Sequence, residues 1–220
     1  MTGLWRLAVS FGFKLLYNEL AWAYDFVSQV VSLGRWRTWQ RAVFPYITGP
    51  RILEVAFGTG NLLLDLSERG YECYGIDLSP HMLRIAKGKL SRKGMNVHIC
   101  RAKAQGLPFR AGTFDSAVIT FPTAFIRDPD SVYELGRVLR PEGSLVVVEG
   151  AELLKQNVLF RFINFLYVIT GQREPLPDMT EAFRKAGLEA HWEEEPAPDS
   201  KVRLLIAIKS QSLIKENKDD

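Results

Sequence analysis

Cysteine and histidine are scarce in this chain, and their scarcity removes several classes of function. Only two cysteines occur, Cys73 and Cys100, each inside an apolar, strand-like run, so they read as buried free thiols of a reducing compartment. Three scattered histidines, without cysteine–histidine spacing, make no metal site, and no metal is expected. An excess of one charge is also missing. Twenty-eight Lys and Arg against 25 Asp and Glu leave a formal charge of +3, and the basic residues form no stripe, which argues against a nucleic-acid partner. Repeats, low-complexity tracts and a signal peptide are lacking. No charge-free run approaches the roughly 20 residues of a spanning helix, because Arg6, Lys14, Glu19 and Asp25 interrupt the aromatic N-terminus. A cytoplasmic protein is expected.

What is present is an α/β pattern in 220 residues, enough for one sizeable core. From Arg51 onward, short β-rich runs alternate with helical patterns. RILEVA is a first strand, followed by a helix from Thr59 to Arg69 with Leu62, Leu63 and Leu66 on one face. YECYGIDL is a second strand. Ser79 then caps a helix that opens with Pro80 and runs through Lys89. VHIC at 97–100, SAVITF at 116–121 and SLVVVEG from Ser144 supply three more strands, with a helix from Ser131 to Leu139 between the last two. Near-continuous apolar strands suit a sheet covered on both faces, and the alternation predicts a doubly wound parallel sheet. The end breaks this rhythm. An aromatic helix is predicted from Leu153 to Thr170, another from Thr180 to Ala186, then two strands, LEAHWEEE and KVRLLIAIKS, joined by PAPDS. That link is too short for a crossover, so a final antiparallel hairpin is expected.

The loudest stretch is RILEVAFGTGNLLLDL, a strand, a glycine turn and a helix. A dinucleotide fingerprint needs G-x-G-x-x-G, but the pattern reads Gly58, Gly60, Leu63, and no Gly-Lys-Ser/Thr of a P-loop follows. What remains is Glu54 at the end of the first strand, bare backbone at Gly58 and Gly60, and Asp77 closing the second strand. Glycines let backbone groups touch a ligand, a helix N-terminus suits a carboxylate, Asp77 can accept from a ribose diol, and Glu54 can face an ammonium. A ligand with ribose, carboxylate and ammonium but no phosphate is S-adenosylmethionine.

With these features, the chain resembles the class I S-adenosylmethionine-dependent methyltransferases, most closely the group of ubiquinone/menaquinone-biosynthesis C-methyltransferases. The resemblance runs through YNELAWAYD, SLGRWRTWQR, LEVAFGTGNLLLDL, GIDLSPHMLRIAK, AQGLPFRAGTFDSAVITF and RVLRPEGSLVVVE, in that order. It implies a Rossmann-like, doubly wound, seven-stranded sheet, mostly parallel with its last hairpin antiparallel, capped by N-terminal and inserted helices. It divides the chain into a helical cap (1–48), an S-adenosylmethionine-binding domain (49–210) with an inserted aromatic helix (151–175), and a polar tail (211–220). It implies that Glu54, Gly58 and Gly60 line the methionine end of the donor, that Asp77 meets the ribose, and that Leu78 and Met82 flank adenine. Ala104 and Gln105 occupy the segment at the adenine edge, Thr120 lies beneath the transferred methyl group, and Tyr24 reaches over the methionine moiety. Two positions depart from the pattern. Ala56 stands where the family has its first glycine, and Lys103 stands where an aspartate receives the adenine amine.

Methyl transfer from a sulfonium asks for alignment and exclusion of water more than for a strong acid or base. His81, His191, Tyr24 and Tyr167 are the candidate bases, and none is singled out. After the fourth strand the chain reads TFPTAF, without the Asn/Asp-Pro-Pro-aromatic turn that resemblance associates with amine methylation of bases. Two aromatic segments, one before the sheet and one carrying Phe160, Phe162, Phe165 and Tyr167, point to a small apolar or lipid-like acceptor. A quinone precursor and a phospholipid head group are both open. Arg6, Lys14, Arg35, Arg37 and Arg41 would let the N-terminal helices lie on an anionic bilayer. The alternative is a non-catalytic scaffold that binds the donor and regulates a partner protein.

Overall fold

The computed structural model describes residues 24–154 and 179–210. Arg6, Lys14, Phe160, Phe162, Phe165, Tyr167, nearly all of the expected 151–175 helix and the polar tail fall outside the described residues.

Two short helices, α1 (Tyr24–Val31) and α2 (Trp36–Gln40), run into a 3-10 turn (Arg41–Tyr46) before the first strand. The sheet strands are β1 (Arg51–Val55), β2 (Glu72–Asp77), β3 (His98–Arg101), β4 (Phe114–Thr120), β5 (Leu139–Leu153), β6 (Leu188–Ala197) and β7 (Ser200–Lys209). Between them lie α3 (Asn61–Glu68), α4 (Pro80–Arg92), α5 (Pro129–Val138) and α6 (Thr180–Lys185). The spatial order is β3-β2-β1-β4-β5-β7-β6. Pairs among the first five strands are parallel, and β7 runs antiparallel to both β5 and β6. The doubly wound sheet and its closing hairpin are therefore as expected. The chain winds outward from β1 to β3 and returns on the other side at β4, so the switch point lies between β1 and β4.

Strand alternation sorts the side chains onto two cores. Ile52, Val118, Val146 and Val148 face a layer that holds Trp39, Val43, Leu62 and Leu66. Leu53, Val55, Ala117, Ile119 and Val147 face the layer of α5 and α6, with Val132, Leu135 and Phe183. Glu54 follows the register of Ile52 and so points to the first face.

Local rules move several element ends. Gly60 is left-handed (φ 77°), so α3 begins at Asn61 rather than Thr59. Ser79 Oγ accepts from the Met82 N–H and Pro80 takes the first position, as the sequence predicts, and the helix runs on to Arg92. The largest difference is β5. It starts at Leu139 and continues through Leu153, where a helix was expected to begin, because β7 offers partners up to Leu153↔Ser200 beyond a bulge at Glu149. Cys73 is buried, whereas Cys100 is only half-buried, since β3 is the sheet's edge and lacks a neighbour on one side.

Candidate active site

The turn between β1 and α3 is built from three left-handed residues, Ala56 (φ 59°), Gly58 (φ 57°) and Gly60 (φ 77°). Ala56 and Phe57 both donate their N–H to the Ile76 carbonyl, at 2.8 and 3.3 Å, which fastens the turn to the end of β2. The two glycines serve different needs. A Cβ on Gly60 would lie 2.9 Å from the Ala86 Cβ, so this glycine lets α4 approach. A Cβ on Gly58 would meet nothing within 4 Å, so Gly58 borders open space.

Asp77 is held from both sides. Its Oδ2 accepts from the Gly58 N–H and its Oδ1 from the Ser79 N–H, each at 2.8 Å. The carboxylate thus ties the turn to the start of α4, and each oxygen keeps a lone pair for a further donor. Burial raises its pKa, against the lowering pull of the Ser79, Gly58 and Leu78 backbone N–H groups.

Glu54 sits one strand away and is fully buried. Neither carboxylate oxygen has a hydrogen-bond partner. Burial pushes its carboxyl well above the usual carboxylate range; the Asp77 charge adds to this and the Asp65 charge adds less. The Leu63 N–H pulls the other way without reaching hydrogen-bonding geometry. An unpaired buried carboxyl is unfavourable and calls for an explanation. The residues fit a ligand that brings a cation, as the ammonium of S-adenosylmethionine would.

At the carboxyl end of β4, Thr120 Oγ1 accepts from Gln40 Nε2 at 3.2 Å. The next residue, Phe121, is left-handed (φ 53°) and stacks on Trp36 with centroids 4.0 Å apart. Trp39 packs at 6.3 Å from Phe121, and Tyr24 meets Trp36 edge-on at 6.3 Å. Strain at Phe121 is consistent with a shape that the surrounding packing imposes.

The remaining expected residues are spread along the rim. Leu78 is exposed, whereas Met82 is fully buried on the inner side of α4. Ala104 is buried; Gln105 is exposed and donates to Asp128 Oδ2 at 3.0 Å. Lys103 is exposed. Of the candidate bases, His81 is half-buried on α4, and His191 lies on the outermost strand beside Glu193, at 3.6 Å. Tyr167 is outside the described residues.

Sequence reasoning missed two clusters. Asp25 accepts from Thr59 Oγ1 (2.5 Å) and Asn61 Nδ2 (3.0 Å), and pairs with Lys89 Nζ (3.0 Å), so α1 is pinned to the glycine turn. Burial would raise the Asp25 pKa, but its bonds to Thr59, Lys89 and Asn61 lower it overall. The signal is the adjacent Tyr24–Asp25 pair that closes YNELAWAYD, of which the sequence reading places only Tyr24 at the site. Arg37 and Arg41, one helical turn apart, each grip the buried Asp65 with two nitrogens at 2.6–3.0 Å. Arg35 binds the Pro198 carbonyl and Asp199. These three cations, which the sequence offers to an anionic bilayer, fasten the start of the described chain to α3 and to the β6–β7 turn. Among the described residues no helix is long and apolar enough to cross a membrane, and no cluster could hold a metal ion.

Comparison with known proteins gives the chain's relatives. The chain is 38% identical over 187 residues to a demethylmenaquinone methyltransferase of Thermus thermophilus, covering 76% of this chain and 84% of that one. It is 30% identical over 190 residues to a ubiquinone/menaquinone biosynthesis C-methyltransferase of Allorhizobium ampelinum, covering 77% and 73%. In fold it is similar to a Haemonchus contortus phosphoethanolamine N-methyltransferase holding S-adenosylhomocysteine, with TM-score 0.61 and 16% identity over 81% of this chain and 53% of that one. The pattern of the ubiE/COQ5 methyltransferase family matches residues 11–189. The chain belongs to that family and is a class I S-adenosylmethionine-dependent methyltransferase.

Proposed function

We propose that this enzyme methylates a ring carbon of a reduced, isoprenoid-tailed quinone precursor. The observation that carries the choice of acceptor is the half-buried aromatic wall of Tyr24, Trp36 and Phe121 at the end of β4, beside Thr120 and backed by the buried Trp39. A flat ring packs against such a wall by offset or edge contacts, each worth about 0.5–1.5 kcal/mol beyond the area buried. The names of the two curated relatives support the same acceptor class. A phospholipid head group would need cations for its phosphate, and Arg35, Arg37 and Arg41 are engaged within the fold.

When bound, S-adenosylmethionine supplies a sulfonium-activated methyl group for displacement by the ring carbon. The chain's own part is to bind and align. In this reading Glu54 meets the donor's ammonium, with Ala56 nearby, and the turn at Gly58 and Gly60 lets backbone approach the methionine end. Asp77 accepts from the ribose diol with its remaining lone pairs. Leu78, Met82, Ala104 and Gln105 form the adenine side, with Met82 acting from beneath. Thr120 and Tyr24 border the space where donor and acceptor meet, and the aromatic wall excludes water there. An isoprenoid tail keeps the acceptor in a bilayer, so the enzyme works at the cytoplasmic membrane surface. Nothing in the fold or in the comparisons supports the alternative of a non-catalytic scaffold.

The test is transfer of radiolabelled methyl from S-adenosylmethionine to a short-chain 2-prenyl-1,4-naphthoquinol under anaerobic, reducing conditions, beside phosphatidylethanolamine vesicles. Label on the quinol ring carbon is expected. Label on the lipid amine alone would overturn the proposal.

A further inference from the structure

Gln40 ends α2 and is 6% exposed. Its Nε2 donates to Thr120 Oγ1, while its Oε1 is buried without a partner. The side chain is closed off from water by its burial, and the helix that carries it is fastened at several points. Arg37 and Arg41 hold Asp65, the Trp39 indole N–H donates to Ser200 Oγ at 2.9 Å, and Trp36 stacks on Phe121.

Among the described residues, four buried side-chain polar atoms lack a partner: Gln40 Oε1, both oxygens of Glu54, and Ser131 Oγ. Ser131 belongs to α5, which packs on the opposite face of the sheet. The other three gather at the switch point. Glu54 is the register neighbour of Val118, and Thr120, which Gln40 touches, is the next residue on the same side of β4. Two residues along a strand span roughly 7 Å, a gap that the Glu54 and Gln40 side chains can close by converging on one small group. All three unpaired atoms act as acceptors once Glu54 is ionised. Their complement is a group that only donates, with several N–H bonds and a positive charge. A hydroxyl brings one proton and would leave two acceptors orphaned; a primary ammonium brings three.

We infer that Gln40 is a donor-binding residue whose Oε1 accepts a hydrogen bond from the α-ammonium of S-adenosylmethionine, with Glu54 supplying the opposing charge. This rests on the reading that the glycine turn holds that donor, and it adds a ligand from a helix outside the turn. It also gives the Gln40–Thr120 bond a purpose. By donating to Thr120 Oγ1, the amide Nε2 fixes which way Oε1 points.

The test is calorimetric titration of the full chain with two ligands, S-adenosylhomocysteine and its des-amino analogue, in which hydrogen replaces the amine. The native protein is expected to prefer the amine-bearing ligand. In Gln40→Met that preference should shrink by about tenfold or more, the scale of a lost hydrogen bond to a charged group, with affinity for the analogue nearly unchanged. Gln40→Glu keeps an acceptor oxygen in place and should keep the preference. Equal loss for both ligands in Gln40→Met marks a structural role and overturns the inference, as does an undiminished preference. If the native chain binds neither ligand, the underlying donor-site reading falls, a result distinguishable from failure of Gln40 alone.

Discussion

Replacing Glu54 by Gln should make the ligand-free enzyme more stable and its donor binding weaker, and the two effects have different pH signatures. The Glu54 carboxyl is fully buried, both oxygens are unpaired, and the charges facing it, Asp77 from β2 and Asp65 from α3, are of its own sign. Cys73, also on β2, is uncharged near neutral pH, its thiol pushed up to about 12, chiefly by burial. Glu54's folded pKa is therefore raised above its ordinary 4.5. A raised acid binds more protons folded than unfolded, so its contribution to stability is lost as pH climbs from the unfolded value toward the folded one. The loss is about 1.4 kcal/mol per pH unit across that window. For a chain of this length it corresponds to roughly 3–5 °C in melting temperature per unit. Gln does not titrate, and Asp77 titrates in both proteins. The melting curves of native and Glu54→Gln proteins should therefore nearly coincide at about pH 4, below the unfolded value, and diverge in the variant's favour as pH rises, the gap levelling off above Glu54's folded pKa. Titration with S-adenosylhomocysteine should show the variant weaker by about 1.5–3 kcal/mol, the strength of a hydrogen bond to a charged group. A gap that stays constant with pH, or a variant less stable at pH 8, would refute the reasoning.

Ala56→Gly should relieve a left-handed alanine worth about 1–2 kcal/mol against about 0.5–1 kcal/mol of added chain entropy, for a net gain of up to about 1.5 kcal/mol in urea unfolding. Gly60→Ala should cost about 2–4 kcal/mol of stability, since its Cβ meets Ala86 and its φ is positive. Gly58→Ala, facing open space, should instead lose mainly S-adenosylhomocysteine affinity, with only about 1–2 kcal/mol lost from the fold. Similar melting shifts for the two glycine variants would contradict that division. Arg37→Ala and Arg41→Ala should each be mild, whereas the double variant strands the buried Asp65 and should lose about 3–5 kcal/mol in a double-mutant cycle. Burial raises the Asp65 pKa, but Arg37 and Arg41 outweigh it and lower it overall. Their stabilisation should therefore hold above pH 3.8 and fade as acid takes the pH below that value.

The sheet and the outline of the candidate donor site were legible because they rest on local pattern. Apolar runs, turn glycines and strand-end acids occupy fixed offsets, so Glu54, Gly58, Gly60 and Asp77 could be named before any contact was known. What stayed hidden depends on pairing at a distance. Arg37 and Arg41 look like a solvated basic face until Asp65, a residue of the following helix α3, turns out to lie between them. Gln40 carries no motif, and only its burial against Thr120 gives it meaning. Likewise, the length of β5 was set by its partner, since nothing in GAEL announces a strand until β7 lies alongside.

The contacts that seat α2 have a consequence for how the enzyme matures. Arg35 and Trp39 reach across 161–164 positions of sequence to Pro198, Asp199 and Ser200. The aromatic wall is thus assembled from the first described helices but locked by the last hairpin. A nascent chain can pair β1 to β4 early, yet its aromatic wall is not locked in place until the ribosome has released the residues of that hairpin.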